Sequence, residues 1–156
     1  MEVISNHNWA LTVGTFLPLV GALIMLFIPK AEEALIKSVA IATAIATLAV
    51  GIYTMIQFDF GNAGTMQFVA QHEWISVIKS SYFIGIDGIS LPLYLLSMVI
   101  TVLVMIYSWD HVPSPGNPKA FFILMLILQT GMAGTFISRD LILFFVFFEL
   151  VLLPMY

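Results

Sequence analysis

The chain has 156 residues, of which 61% are hydrophobic and 9% charged, whereas soluble domains carry about a quarter charged residues; with a mean hydropathy of +1.06 this excludes a water-soluble globule and predicts a membrane protein. The net charge of −4, with only five Lys and Arg, provides no basic block to neutralise phosphates and excludes nucleic-acid binding. The absence of cysteine excludes disulfides and iron–sulfur ligation within this sequence, and His7, His72 and His111 lie in three separate polar segments without metal-site spacing.

The sequence opens on Glu2 rather than on a basic region, and its apolar stretch is long enough to span a bilayer, so a retained helix is expected rather than a cleaved signal. The fold class predicted is all-α, a polytopic bundle of about five transmembrane helices. The first covers 9–28, with Trp9 at one interface, Pro29-Lys30 as the stop and Pro18 inside. The second covers 34–58; Lys37 in its first turns is long enough to snorkel, and Ala40, Ala44 and Gly51 give it a small-residue face for close helix approach. Residues 59–88 form the longest polar stretch, read as an extramembrane loop. Within it, 67–74 and 82–86 carry β-favouring residues that suggest a small hairpin. The third helix covers 89–109, with Asp87 or Ser90 to cap it, and three prolines between 113 and 118 end its continuation.

The fourth helix covers 120–138 and the fifth begins at 141, leaving only Arg139-Asp140 between them. They should therefore pack as an antiparallel hairpin, Arg139 complementing the negative end of one and Asp140 the positive end of the other. Gly131 and Gly134 are expected to face other helices. The fifth segment, 141–156, is still apolar at Tyr156 and shorter than the ~20 residues of a span, so a single membrane domain over 1–156, the amino-terminal part of a longer chain, is expected. Lys30, Lys37 and Lys119 fall on one side, and Lys79 and Arg139 on the other. The bias places the amino terminus and 59–88 outside.

Glu149 is the candidate functional residue. It stands in the most apolar stretch of the chain, where a charge costs at least ~2.5–3.5 kcal/mol on insertion scales. A carboxyl at bilayer depth is suited to taking up and releasing a proton; a neutral Glu making one interhelical hydrogen bond is the plainer alternative. Pro154, five residues on, removes a donor to the Leu150 carbonyl; this fits either a broken helix lining a water path or an ordinary kink. Gln129 and Thr130, the other deep polar pair, fit interhelical hydrogen bonding or the lining of a hydrated path. No cofactor-binding or metal-binding residue is expected.

Three stretches resemble one known family. They are Glu73-Trp74-Ile75 leading to Tyr82-Phe83-Ile84-Gly85-Ile86-Asp87-Gly88-Ile89-Ser90-Leu91, Lys119-Ala120-Phe121-Phe122 with Gly134-Thr135-Phe136 ahead of Arg139-Asp140-Leu141, and Leu143 to Tyr156, whose membrane Glu precedes Pro-Met-Tyr by five residues. They are similar to the proton-translocating chain M of respiratory NADH:quinone oxidoreductase (complex I), the equivalent of mitochondrial subunit four. The similarity runs the length of the chain, although the first two helices match only in hydropathy. The resemblance implies an antiporter-like fold of about fourteen helices with two inverted repeats. It implies that Glu149 belongs to a proton path and couples to a lysine beyond Tyr156. It also implies that NADH, FMN, iron–sulfur clusters and quinone bind partner subunits, that the partners are other membrane-arm subunits, the lipid bilayer and protons, and that the site is a bacterial inner membrane with a periplasmic amino terminus. A multisubunit cation/proton antiporter or membrane-bound hydrogenase subunit, built on the same fold, is the second reading. A structural scaffold or assembly protein is the third.

Overall fold

The computed structural model describes residues 3–4 and 8–156; Glu2 and His7 lie outside the described residues. Five helices dominate: α1 (Trp9–Leu26), α2 (Glu33–Gln57), α3 (Ser90–Tyr107), α4 (Pro118–Ile137) and α5 (Leu141–Met155). Their bounds fall within two residues of those expected from hydropathy, because the punctuating residues act locally. Pro118 sits in the first turn of α4, where its missing N–H costs nothing, and the Asn117 side chain accepts from the Ala120 N–H. Asp87 Oδ1 accepts from the backbone of Ile89 and Ser90 ahead of α3. The first four helices are long and apolar enough to cross a membrane, and α5 is a shorter apolar helix.

The expected helical bundle is present, with a small sheet added at one end. The polar stretch between α2 and α3 folds as β2 (Met66–Ile75) and β3 (Ser80–Ile86), an antiparallel hairpin that β1 (Val3–Ile4) joins in parallel to give the order β1-β2-β3. The hairpin expected from 67–74 and 82–86 is therefore present. The addition of β1 was not foreseen, since two residues carry no periodicity to read. The sheet closes one end of the bundle. Met66–Ala70 of β2 are buried and Gln71–Ile75 exposed, so half of the strand covers the helices and half stands clear. His72, Glu73 and Lys79 are on the exposed part.

α4 is the hub, packing against α1, α2, α3 and α5. Two apolar clusters fill the bundle. One, next to the sheet, joins Ala10, Leu11, Tyr94, Ala133, Ile137 and Phe147. The other, toward the far end, joins Met25, Ile36, Ala40, Met105, Phe122 and Leu126. Between them the helices contribute buried polar side chains, Thr15, Thr47, Thr101, Gln129 and Thr130. Thr47 and Thr101 donate back to their own helices, at the carbonyls of Thr43 and Ser97, the usual way for a hydroxyl inside a helix to be satisfied.

The end opposite the sheet is closed by two lysines. Lys37 Nζ donates to the Trp109 carbonyl (2.6 Å) and lies over the Trp109 ring. Lys119 Nζ donates to the carbonyls of Leu26 (2.9 Å) and Ile28 (2.7 Å), satisfying groups that the end of α1 leaves open.

Candidate functional site

α5 is two-faced. Leu143 and Phe147 are buried one turn apart, with Leu150 partly buried beyond them. They meet α4 at its glycines: a Cβ on Gly131 would lie 2.8 Å from Val151 Cγ2 and 3.0 Å from its backbone nitrogen, and one on Gly134 would clash with the Phe147 ring. Both glycines thus face α5, as expected of small residues that let two backbones approach. Helical spacing sets Glu149 about 200° around the axis from Phe147. It is exposed, on an open apolar groove with Val146, Leu150, Leu152, Leu153, Met155 and Tyr156. Glu149 makes no ion pair or hydrogen bond with any described residue. The helix runs on through Pro154 to Met155.

At 1.5 Å per residue, Glu149 lies about 12 Å from the sheet-side start of α5. Gln129 lies a similar distance from the sheet-side end of α4, Ile137. The structure does not bring the two together: Gln129 and Thr130 are fully buried within the α1–α4 bundle, while Glu149 points away from it. Gln129 Oε1 and Nε2, Thr130 Oγ1 and Thr15 Oγ1 have no hydrogen-bond partner among the described residues.

The turn that aims α5 is heavily bonded. Asp140 Oδ1 accepts from the backbone of Ile142 (2.9 Å) and Leu143 (3.1 Å), capping α5 as expected, and also from Ser80 Oγ (3.0 Å). Its Oδ2 accepts from the Ser81 N–H (3.1 Å). The N–H groups of Leu143 and Ser81 lead in holding the Asp140 carboxyl below the ordinary carboxylate value, helped by the Ser80 hydroxyl and the Ile142 N–H. Arg139 departs from the simple expectation that it serves the end of α4. Its guanidinium reaches β3 and the start of α3, donating to the Gly85 carbonyl and Ser90 Oγ and pairing with Asp87 at 3.3 Å; the end of α4 is closed by Ser138, whose N–H and hydroxyl both donate to the Gly134 carbonyl. Asp87 experiences a raising effect from burial, which the Ser90 and Ile89 bonds and the Arg139 charge outweigh, leaving it below its ordinary value. Sequence reasoning missed these tertiary roles because Ser80 and Asp140 are 60 residues apart, and no local pattern marks such a pair.

A family model described as NADH-ubiquinone oxidoreductase chain 4, amino terminus, matches residues 34–135. The chain is 34% identical over 146 residues to NAD(P)H-quinone oxidoreductase chain 4-3 of Nostoc sp., covering 94% of this chain and 26% of that one. It is 34% identical over 157 residues to the chloroplastic NAD(P)H-quinone oxidoreductase chain 4 of Mesostigma viride, covering 97% and 29%. It is 34% identical over 139 residues to NADH-ubiquinone oxidoreductase chain 4 of Arabidopsis thaliana, covering 89% and 28%. The chain thus spans between 26% and 29% of the length of these relatives.

Proposed function

Because this multi-pass membrane chain belongs to the NADH-ubiquinone oxidoreductase chain 4 family, we propose that it forms the amino-terminal part of a proton-translocating membrane-arm subunit of NADH:quinone oxidoreductase. It would help couple electron transfer from NADH to quinone to proton movement, and Glu149 is its proton-path carboxylate. One observation carries the assignment: an ionisable side chain about halfway along an apolar helix, turned away from the bundle that its own chain builds. An unpaired charge at that depth is costly. Retaining one on an outward face makes sense where further helices, with a basic or polar partner, pack against it. The expected partner is a lysine on a later helix of the full-length chain.

The redox chemistry belongs to other subunits, which would hold NADH, FMN, iron–sulfur clusters and quinone. The matched relatives carry quinone-oxidoreductase names, so the antiporter, hydrogenase and scaffold readings are not favoured. In a bacterial inner membrane, the lysines at the end opposite the sheet support a cytoplasmic position for that end and a periplasmic position for the sheet.

The test is Glu149→Gln in the full-length chain within the assembled complex. It keeps the side chain's shape and removes its titration. Assembly should be retained, with proton pumping strongly depressed and Glu149→Asp milder. Wild-type pumping by Glu149→Gln would leave Glu149 as a structural residue only.

A further inference from the structure

Asp140 does more than cap a helix, because its two oxygens serve different elements. Oδ1 accepts from the first-turn N–H groups of α5 and from Ser80 Oγ, and Oδ2 accepts from the Ser81 N–H of β3. The attachment continues on either side. The Arg139 N–H donates to the Phe83 carbonyl (2.8 Å), Ser138 bridges Ile84, and Ser80 Oγ accepts from Trp74 Nε1 (2.7 Å). The start of α5 is thereby fixed to the sheet in both rotation and height.

α5 needs such a fixture. Its main contacts are with α4 and β3, and its contact with α4 passes over Gly131 and Gly134, which present no side chain of their own. Glu149 lies about 12 Å along the axis from Leu141, the first residue of α5. Fixing the first turn of α5 fixes the rest of the helix, which buries Leu143 and Phe147 against the bundle and leaves Glu149, about 200° around the axis from Phe147, exposed on the other side.

We propose that Asp140 is a positioning residue for Glu149: its carboxylate clamps the start of α5 to β3 through Ser80 and Ser81, and so sets the direction and depth at which Glu149 meets the helices that cover it. This rests on the role proposed for Glu149, and the test separates the two.

Asp140→Asn is the informative variant. Its amide oxygen can still cap α5, but its NH2 group cannot accept from the Ser81 N–H. Ser80→Ala removes one arm of the clamp without changing charge, and Asp140→Glu keeps the charge while lengthening the reach. In the assembled complex, amide hydrogen exchange in Asp140→Asn should rise severalfold over residues 80–83 and stay unchanged over 142–146. The pH profile of proton-coupled turnover should move by at least about half a unit. Ser80→Ala should move it the same way by less, and Asp140→Glu should restore less than full wild-type behaviour. A profile that moves in Asp140→Asn but not in Ser80→Ala reports lost charge alone and overturns the proposal. An unmoved profile in every assembling variant also overturns it. If Asp140→Asn does not assemble, Ser80→Ala decides by the same criterion. Wild-type pumping by Glu149→Gln would instead remove the reading beneath, whatever hydrogen exchange shows at the clamp.

Discussion

Replacing Gly134 by alanine adds one methyl group where α5 has no room to receive it. A Cβ at that position would lie 2.5 Å from Phe147 Cε1 and closer still to Cγ and Cδ1. The ring cannot simply turn aside: Phe147 is only 3% exposed, and Phe16 flanks it at a centroid distance of 6.0 Å. Relief requires α4 and α5 to separate, which also loosens the Gly131 contact with Val151. Overpacking of this kind costs about 1–3 kcal/mol, or roughly 5- to 150-fold in the folded-to-unfolded ratio. The assay is reversible unfolding of the full-length protein in mixed micelles, comparing Gly134→Ala, Phe147→Leu and the double variant. The double variant should recover part of the loss, giving a coupling energy of about 0.5–3 kcal/mol. Gly134→Ala within about 0.5 kcal/mol of wild type, with no coupling to Phe147→Leu, would refute the notch described here.

Topology is accessible at Val77, which is 91% exposed on the turn of the hairpin; Ser80, beside it, is unsuitable because it is buried and bonded to Asp140. In a bacterial host Val77→Cys should react with a membrane-impermeant thiol reagent in intact cells, and reaction only after the membrane is opened would reverse the orientation. Acid should release the clamp. Asp140 has a folded value below the ordinary one, so its contribution is complete above about pH 4 and is lost as pH falls through the folded value. With Trp9 and Trp109 replaced by Phe, Trp74 emission should change below about pH 4 and not in the Asp140→Asn background; an Asp140-dependent midpoint at or above the ordinary carboxylate range would contradict the assignment.

The parts of this structure that were legible in the sequence are those written in short range. Apolar runs bounded by Pro29, Pro118 and Asp140 define helix ends, since a proline or a capping carboxylate acts within a turn of its own position. The hairpin was visible as β-favouring residues around a turn, although the bulge where Phe68 takes a positive φ of 56° to reach the core was not. Hydropathy picked out Glu149, because a carboxylate among phenylalanines is anomalous without reference to any neighbour. It could not say which way Glu149 faces, since α5 is apolar all round and offers no stripe to orient it. The destination of Arg139 was equally hidden: proximity to the end of α4 made that end the obvious partner, but Asp87 offers a full opposite charge once β3 has brought it alongside.

The bonds from Lys119 to Leu26 and Ile28 join residues 93 and 91 positions apart, and this sets an order of events during synthesis. The last carbonyls of α1 leave the ribosome long before the lysine that satisfies them. Until α4 takes its place, Lys119 is not there to satisfy them and that end of α1 stays open. Placement of α4 closes that end and supplies the surface against which α1, α2 and α3 all pack.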